Sequence, residues 1–121
     1  METIKSYTDL KQSKKLAEIL PLESADMRIG NYVGKSGKVD GTNVHYYPKG
    51  ESFGAPEIIN AWSLAALLDV IPYPALHRTI SGWRCDMYNE KGYISQFGED
   101  SDNPIDGCYE MIIKLHELNL L

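Results

Sequence analysis

The sequence has few cysteines and no long apolar run. Its 121 residues include two cysteines, Cys85 and Cys108, which belong to no CxxC pair. No stretch approaches the roughly 20 consecutive apolar residues that a membrane-spanning helix needs. The first residues, METIKSYTDLKQSKK, lack the apolar core of a secretory signal. We therefore predict a cytoplasmic protein with no membrane partner, whose two cysteines are reduced and buried thiols.

An excess of positive charge is also missing. The formal net charge is −5, which argues against a nonspecific grip on nucleic acid. The three histidines stand singly, and no HxH or HxxxH spacing occurs. Because metal sites usually place their ligands at such short spacings, the sequence predicts no metal site, and no motif indicates a cofactor. The length is that of one domain, so we predict a single domain over residues 1–121.

Three segments have helical periodicity. The first runs from about Asp9 to Leu20, with Thr8 as the expected N-cap. The second follows AWSLAALLDVIP, with Ser63 as N-cap. The third has the clearest start, since Asn103 fits the N-cap and Pro104 the first helical position. Its apolar stripe is expected to contain Ile105, Cys108, Met111, Ile112, Leu115 and Leu118.

Between the helices the period changes to two. GWRCDMY alternates apolar and polar residues, and NEKG then YISQF complete a hairpin in which Gly92 takes positive φ. RIGNYV, NVHYY and ALHRTI are further strand candidates. With too few helices for parallel crossovers, we predict an α+β fold: an antiparallel sheet of four to five strands packed against about three amphipathic helices. The similar segments LAEILP and LAALLDVIP leave open a duplicated helix-then-strands unit.

The acidic segment GEDSDNPIDGCYEM suggests a calcium loop at first sight. An EF-hand needs oxygen ligands at positions 1, 3 and 5, but Pro104 occupies position 5 when the loop starts at Asp100 and position 3 when it starts at Asp102. Carboxylates such as Asp106 are also favoured beside the positive end of a helix. The segment therefore predicts a helix start rather than a metal site.

Two other features suggest a binding or catalytic site, but the residues around them do not support one. GNYVGKS has one residue too few between its glycines for a P-loop, and the sequence after it has no helical period. Cys85 and Cys108 both fall on apolar faces, where burial raises a thiol pKa and makes the group inert. We therefore predict no catalytic residue.

The central segment RIGNYVGKSGKVDGTNVHYYPKGE interleaves lysines with tyrosines. Aromatic and basic side chains are typical of recognition surfaces, although lysines also protect the edge strands of sheets. The residues predicted to form a partner surface are Lys35, Lys38, Tyr46, Tyr47 and Lys49.

Three segments, QSKKLAEILPLESADM, WSLAALLDVIP and DNPIDGCYEMIIKLHELNLL, resemble parts of small proteins encoded in prophage and mobile-element regions of gut bacterial genomes. That group has no known activity, so the resemblance implies only an accessory protein of a phage or mobile element.

The sequence is compatible with three functions. The first is a small non-enzymatic binding or accessory protein acting through protein contacts, either with another protein or with itself. The second is nucleic-acid binding through Lys35, Lys38, Lys49 and the same tyrosines. The third is an enzyme whose site is assembled from residues distant in the sequence.

Overall fold

The computed structural model describes residues 5–49 and 54–121, and there it has three α-helices and six strands. Both sheets are antiparallel, which confirms the predicted α+β class. The order along the chain is α1 (Leu10–Ile19), a 3-10 turn (Leu22–Ser24), β1 (Met27–Asn31), β2 (Val44–Pro48), β3 (Glu57–Ala61), α2 (Leu64–Val70), β4 (Pro74–Thr79), β5 (Gly82–Tyr88), β6 (Ile94–Gln96) and α3 (Pro104–Glu117).

The prediction of one sheet with four to five strands is wrong. The strands form two three-stranded sheets, with orders β2-β1-β3 and β4-β5-β6. Strand β3, which was not among the predicted strands, pairs with the second side of β1. β1 therefore has a paired strand on each side, and β1, β2 and β3 form a sheet separate from that of β4, β5 and β6.

The described residues group into two compact units. The hairpin unit comprises residues 7–49 and 54–63, and the helix unit comprises residues 5–6 and 64–121. The prediction of a single domain stays a prediction. No helix in the described parts of the chain is long and apolar enough to cross a membrane.

In the hairpin unit, α1 packs against β3 and buries Leu16, and the C-cap residue Leu20 is buried just after it. Its N-cap is Asp9 rather than the predicted Thr8: the Asp9 carboxylate accepts from the Gln12 N–H at 2.8 Å. Thr8 is instead buried beside β3, where its N–H donates to the Trp62 carbonyl at 2.9 Å. Its hydroxyl oxygen accepts from the Trp62 N–H at 3.1 Å, so Thr8 links the start of α1 to the end of β3.

In the helix unit, α3 packs against β5 and α2. Its N-cap is Asn103 as predicted, and the Asn103 side chain accepts from the Asp106 N–H at 2.9 Å. Pro104 occupies the first turn, where it has no N–H to satisfy. Leu118 does not join the buried stripe, because the helix ends at Glu117 and Leu118 is 47% exposed.

The hairpin of β5 and β6 follows the prediction closely. The Gly92 N–H donates to the Asn89 carbonyl at 3.0 Å, and Gly92 has φ of 85°. Only glycine takes this left-handed conformation without strain, so the NEKG segment sets the turn.

Candidate partner surface on the central hairpin

The central hairpin joins β1 to β2 through residues 32–43. Lys35 and Lys38 lie exposed in this connection, and Lys49 is exposed just after β2. Tyr46 and Tyr47 are consecutive residues of β2, so their side chains point to opposite faces of the sheet. The structure therefore places the five predicted residues on one hairpin but not on one face.

Strand β2 lies at the outer edge of its sheet. The Tyr32 N–H donates to the Asn43 carbonyl at 2.9 Å, and the Lys49 N–H donates to the Asp26 carbonyl at 3.3 Å. In an antiparallel pair, every second residue bonds to the neighbouring strand. His45, which lies opposite Gly30, is an even number of positions from Asn43 and Lys49, so its N–H and carbonyl also point to β1. Val44 is one position away from His45, so its N–H and carbonyl point away from β1. On that side of β2 no described strand is paired.

Tyr46 ties the hairpin to the segment before α1. Its ring stacks on Tyr7 with centroids 5.2 Å apart, and its hydroxyl donates to the Thr8 carbonyl at 3.1 Å. The ring is still 37% exposed. Tyr46 therefore stabilises the unit and presents part of its ring to solvent.

Tyr47 lies on the other face and is only 9% exposed. Its ring covers Gly30, where an added Cβ would lie 2.6 Å from a Tyr47 ring carbon, and its hydroxyl bonds to that of Tyr32. Removal from water, together with the Tyr32 hydroxyl, raises the pKa of Tyr47 to about 12. Tyr47 thus acts in this structure as a core residue of the hairpin, and a side chain at position 30 would have to displace the end of its ring.

The connection between β1 and β2 is ordered by Asp40. Its carboxylate accepts from the Thr42 hydroxyl at 2.6 Å, the Thr42 N–H at 3.0 Å and the Ser36 hydroxyl at 3.1 Å. These hydrogen bonds, with the Thr42 hydroxyl first, lower the pKa of Asp40. The Asp40 carboxylate is hydrogen-bonded to Ser36 and Thr42 within the loop. The exposed Lys35 and Lys38 therefore give the tip of the hairpin its positive charge. An open cavity of about 860 Å³ lies at this tip, with Lys35 and Val33 among its lining residues.

The P-loop-like segment is part of this connection. From Gly30 the chain leaves β1, passes through the loop and enters β2 without an intervening helix. A P-loop needs the N-terminus of a following helix to hold phosphate, so the geometry agrees with a chance match.

One cluster of charged residues was missed in the sequence. Asp86 on β5 is fully buried and accepts from the Gly98 N–H at 2.8 Å. Arg84 donates to the same carboxylate at 3.1 Å, and the His77 Nε2 lies 3.3 Å from it. The alternation of GWRCDMY places Arg84 and Asp86 on one face, but no local pattern indicates the register that brings His77 on β4 beside them. The cluster neutralises a buried carboxylate, as buried charges require.

The acidic segment before α3 behaves as a helix start. Asp106 accepts from the Asn103 side-chain amide and from the Lys5 ammonium, each at 2.8 Å. Within the described ranges, no group of three or more histidine, cysteine, aspartate or glutamate side chains is placed to hold a metal ion.

The hairpin is therefore the part of the described chain that combines an open strand edge, partly exposed apolar side chains and positive charge. Such a surface can add a strand and attract acidic groups. Comparisons of the chain with protein-family models, with curated proteins and with solved structures find no match.

Proposed function

We propose that this chain is a small non-enzymatic binding protein that acts through protein contacts at its central hairpin. The observation that supports this most directly is the position of β2 at the edge of its sheet, with lysines beyond both of its ends. The accessory role in a phage or mobile element, which the sequence resemblance implies, is part of the same proposal.

The outward backbone groups of Val44 can accept an extended segment of a partner as an added strand. In this mode the main chain supplies affinity and the flanking side chains supply specificity. Lys35 and Lys38 lie at one end of β2 and Lys49 at the other. A partner segment with acidic residues at both ends matches this arrangement, whereas a second copy of the hairpin brings lysines against lysines.

A substitution at Val44 tests the strand edge. Val44→Pro removes an outward N–H while leaving the ladder to β1 complete, and proline is tolerated at such edge positions. Val44→Thr keeps the N–H and is the matched control. A partner captured from the native host's lysate should bind Val44→Pro about tenfold more weakly, as expected for one lost hydrogen bond. Val44→Thr should bind like the original chain.

Charge reversal tests the lysines. The combined change Lys35→Glu, Lys38→Glu and Lys49→Glu should abolish capture. The combined change Lys11→Glu, Lys15→Glu and Lys91→Glu, at exposed lysines elsewhere, alters the net charge equally and should not.

Equal binding by Val44→Pro and Val44→Thr, or equal effects of the two sets of lysine changes, would exclude the hairpin as the contact. Capture of RNA or DNA instead, with affinity falling steeply as salt rises, would replace this proposal with the nucleic-acid reading.

A further inference from the structure

An open cavity of about 470 Å³ lies in the helix unit, where the start of β4 meets the end of β5 and the turn before β6. Tyr73, Met87 and Tyr88 give it aromatic and thioether surface, and polar side chains complete its lining. Small-molecule sites in proteins usually enclose about 300–1,000 Å³ and are mostly apolar, with a few polar groups that orient the ligand. The cavity has the size and the lining of such a site.

Tyr73 lines this cavity in a backbone conformation that bulky residues rarely take. Its φ is 47°, and it stands between Pro72 and Pro74. The Tyr88 N–H donates to the Tyr73 carbonyl at 2.9 Å, which ties this segment to the end of β5. The Tyr73 side chain is nevertheless 57% exposed, so its ring adds little to the core. Residues held in unfavourable conformations cluster at ligand sites, which is the role that the position of Tyr73 indicates.

A β-bulge in β6 brings Ser95 to the same cavity. Met87 pairs with Gln96 and Tyr88 pairs with Ile94, so Ser95 is the extra residue between the two pairs. Bulges are common beside functional sites, where they redirect a side chain. Two irregularities of the backbone therefore meet at one cavity.

The turn between β5 and β6 places one acidic and one basic residue at the cavity. Asn89 orders the turn, because its side-chain oxygen accepts from the Lys91 N–H at 2.9 Å and from the Tyr93 N–H at 3.1 Å. Glu90 and Lys91 both line the cavity, and both are exposed. Neither forms an ion pair with any part of the chain that the structure describes. Both charges are therefore available to a ligand.

We propose that this cavity binds a free aromatic α-amino acid. The ammonium of such a ligand is attracted by Glu90 and its carboxylate by Lys91, so the adjacent opposite charges of the turn complement a zwitterion. Its ring packs against Tyr73 and Tyr88 and near the sulfur of Met87, since aromatic side chains favour contacts with other rings and with thioethers. A residue inside a polypeptide has neither charge, so a free molecule matches the site better than a peptide segment. The site is independent of the surface proposed on the central hairpin.

A series of related probes tests the two charges. The whole protein is titrated with L-phenylalanine and followed by amide NMR, in which the shifts should concentrate at Tyr73, Tyr88 and the turn before β6. Phenethylamine lacks the carboxylate and hydrocinnamate lacks the ammonium, and each should bind about threefold more weakly, as expected for one lost exposed ion pair. N-acetylphenylalanine amide has neither charge and should bind about tenfold more weakly.

Three results of this titration would overturn the proposal. The first is the absence of shifts up to the solubility limit of L-phenylalanine, and the second is a set of shifts confined to other parts of the chain. The third is binding of N-acetylphenylalanine amide as tight as that of L-phenylalanine or tighter, which would assign the cavity to a peptide or to an uncharged aromatic molecule.

Two substitutions assign each charge to its residue. Lys91→Gln should lower the affinity for L-phenylalanine about threefold and leave that for phenethylamine unchanged, since phenethylamine has no carboxylate to lose. Glu90→Gln should lower the affinity for L-phenylalanine by the same factor and leave that for hydrocinnamate unchanged. Equal loss of affinity for all the probes in either variant would contradict the assigned contacts.

A pair of tyrosine variants tests the aromatic lining. Tyr73→Ala should lower the affinity for L-phenylalanine about fivefold through the lost ring contact. Tyr93→Ala is the matched control, because Tyr93 is 70% exposed in the turn before β6 and does not line the cavity. It should bind like the original chain, and the amide spectrum shows whether each variant is folded. Equal affinities in the two folded variants would exclude this cavity as the site.

Discussion

At the scale of single residues, two glycines in the helix unit meet β5 in different ways. A Cβ at Gly107 would make ordinary van der Waals contact with the Trp83 carbonyl oxygen at 3.4 Å. A Cβ at Gly98 would lie 2.0 Å from the Cys85 carbonyl oxygen, which is a direct clash with backbone. Only the second glycine is therefore required by the packing.

Gly107→Ala should stabilise the protein by about 0.5–1 kcal/mol. Glycine inside a helix is disfavoured by about that amount relative to alanine, and the added methyl group fits. Gly98→Ala is the contrasting variant and should lose at least about 2 kcal/mol through overpacking. Urea unfolding measures both. A loss of stability in Gly107→Ala would mean that α3 lies closer to β5 than the 3.4 Å spacing indicates.

Tyr47 makes stability depend on pH in the alkaline range. Its pKa rises from 10.0 to about 12 in the folded protein, because burial and the Tyr32 hydroxyl oppose ionisation. Between these values the unfolded chain has already lost the proton that the folded chain keeps, so stability falls as pH rises. This stabilisation is complete below pH 10 and lost as pH passes about 12.

The check is chemical unfolding at a series of pH values, beside Tyr47→Phe. The variant should show a shallower fall of stability above pH 10, since it has no hydroxyl to ionise at that position. If stability fell with pH equally steeply in the two proteins, the pKa of Tyr47 would not be raised by folding.

At the scale of elements, local capping signals predicted the helices well. Asn103, Pro104 and Asp106 fixed the start of α3, because caps and first-turn preferences depend on a few adjacent residues. The start of α1 was missed by one residue, since Thr8 and Asp9 are both good caps and only the tertiary contact of Thr8 with Trp62 decides between them.

Strand β3 could not be predicted in the same way. Its sequence, EIINA, has neither a strict alternation nor a long β-branched run, and its register depends on β1. The exposure of Tyr46 and the burial of Tyr47 were also out of reach, because both residues are tyrosine and the sequence does not say which face of β2 is covered. Likewise, the Asp86 cluster depends on pairing between β4 and β5.

Removing the cap of α3 should destabilise the helix unit. Asn103→Ala deletes both the bond accepted from the Asp106 N–H and the bond donated to its carboxylate, so we expect a loss of about 1–2 kcal/mol. Asp102→Ala, at the exposed neighbouring position, should change the free energy of unfolding by less than about 0.5 kcal/mol. A cost for Asn103→Ala no larger than that control would contradict the capping account.

At the scale of the whole molecule, the two units differ in topology. The central strand is β1 in one sheet and β5 in the other, so it is the first strand of three in one unit and the second in the other. A duplicated helix-then-strands unit would keep the strand order. The resemblance of LAEILP to LAALLDVIP is therefore explained by similar helix endings before proline rather than by a repeat.

The predicted single domain leads to a test with the two tryptophans. Trp62 belongs to the hairpin unit and Trp83 to the helix unit. The helix unit is closed by the bond of Lys5 to Asp106, which joins segments on either side of the hairpin unit in the chain. We therefore expect cooperative unfolding of both units.

In Trp83→Phe the fluorescence of Trp62 should change at the same urea midpoint as the far-ultraviolet circular dichroism, and in Trp62→Phe the same should hold for Trp83. Separate midpoints within either variant would mean that the chain consists of two independently folding domains.

The central claim is that the edge of β2 is open to a partner strand, and amide hydrogen exchange of the free protein tests it most directly. The Val44 N–H points away from β1, whereas the parity of the ladder directs the His45 N–H to Gly30. We expect the Val44 amide to exchange at least about a hundredfold faster than the His45 amide. Equal protection of the two amides would show that the edge is already paired, and would contradict the proposed docking surface.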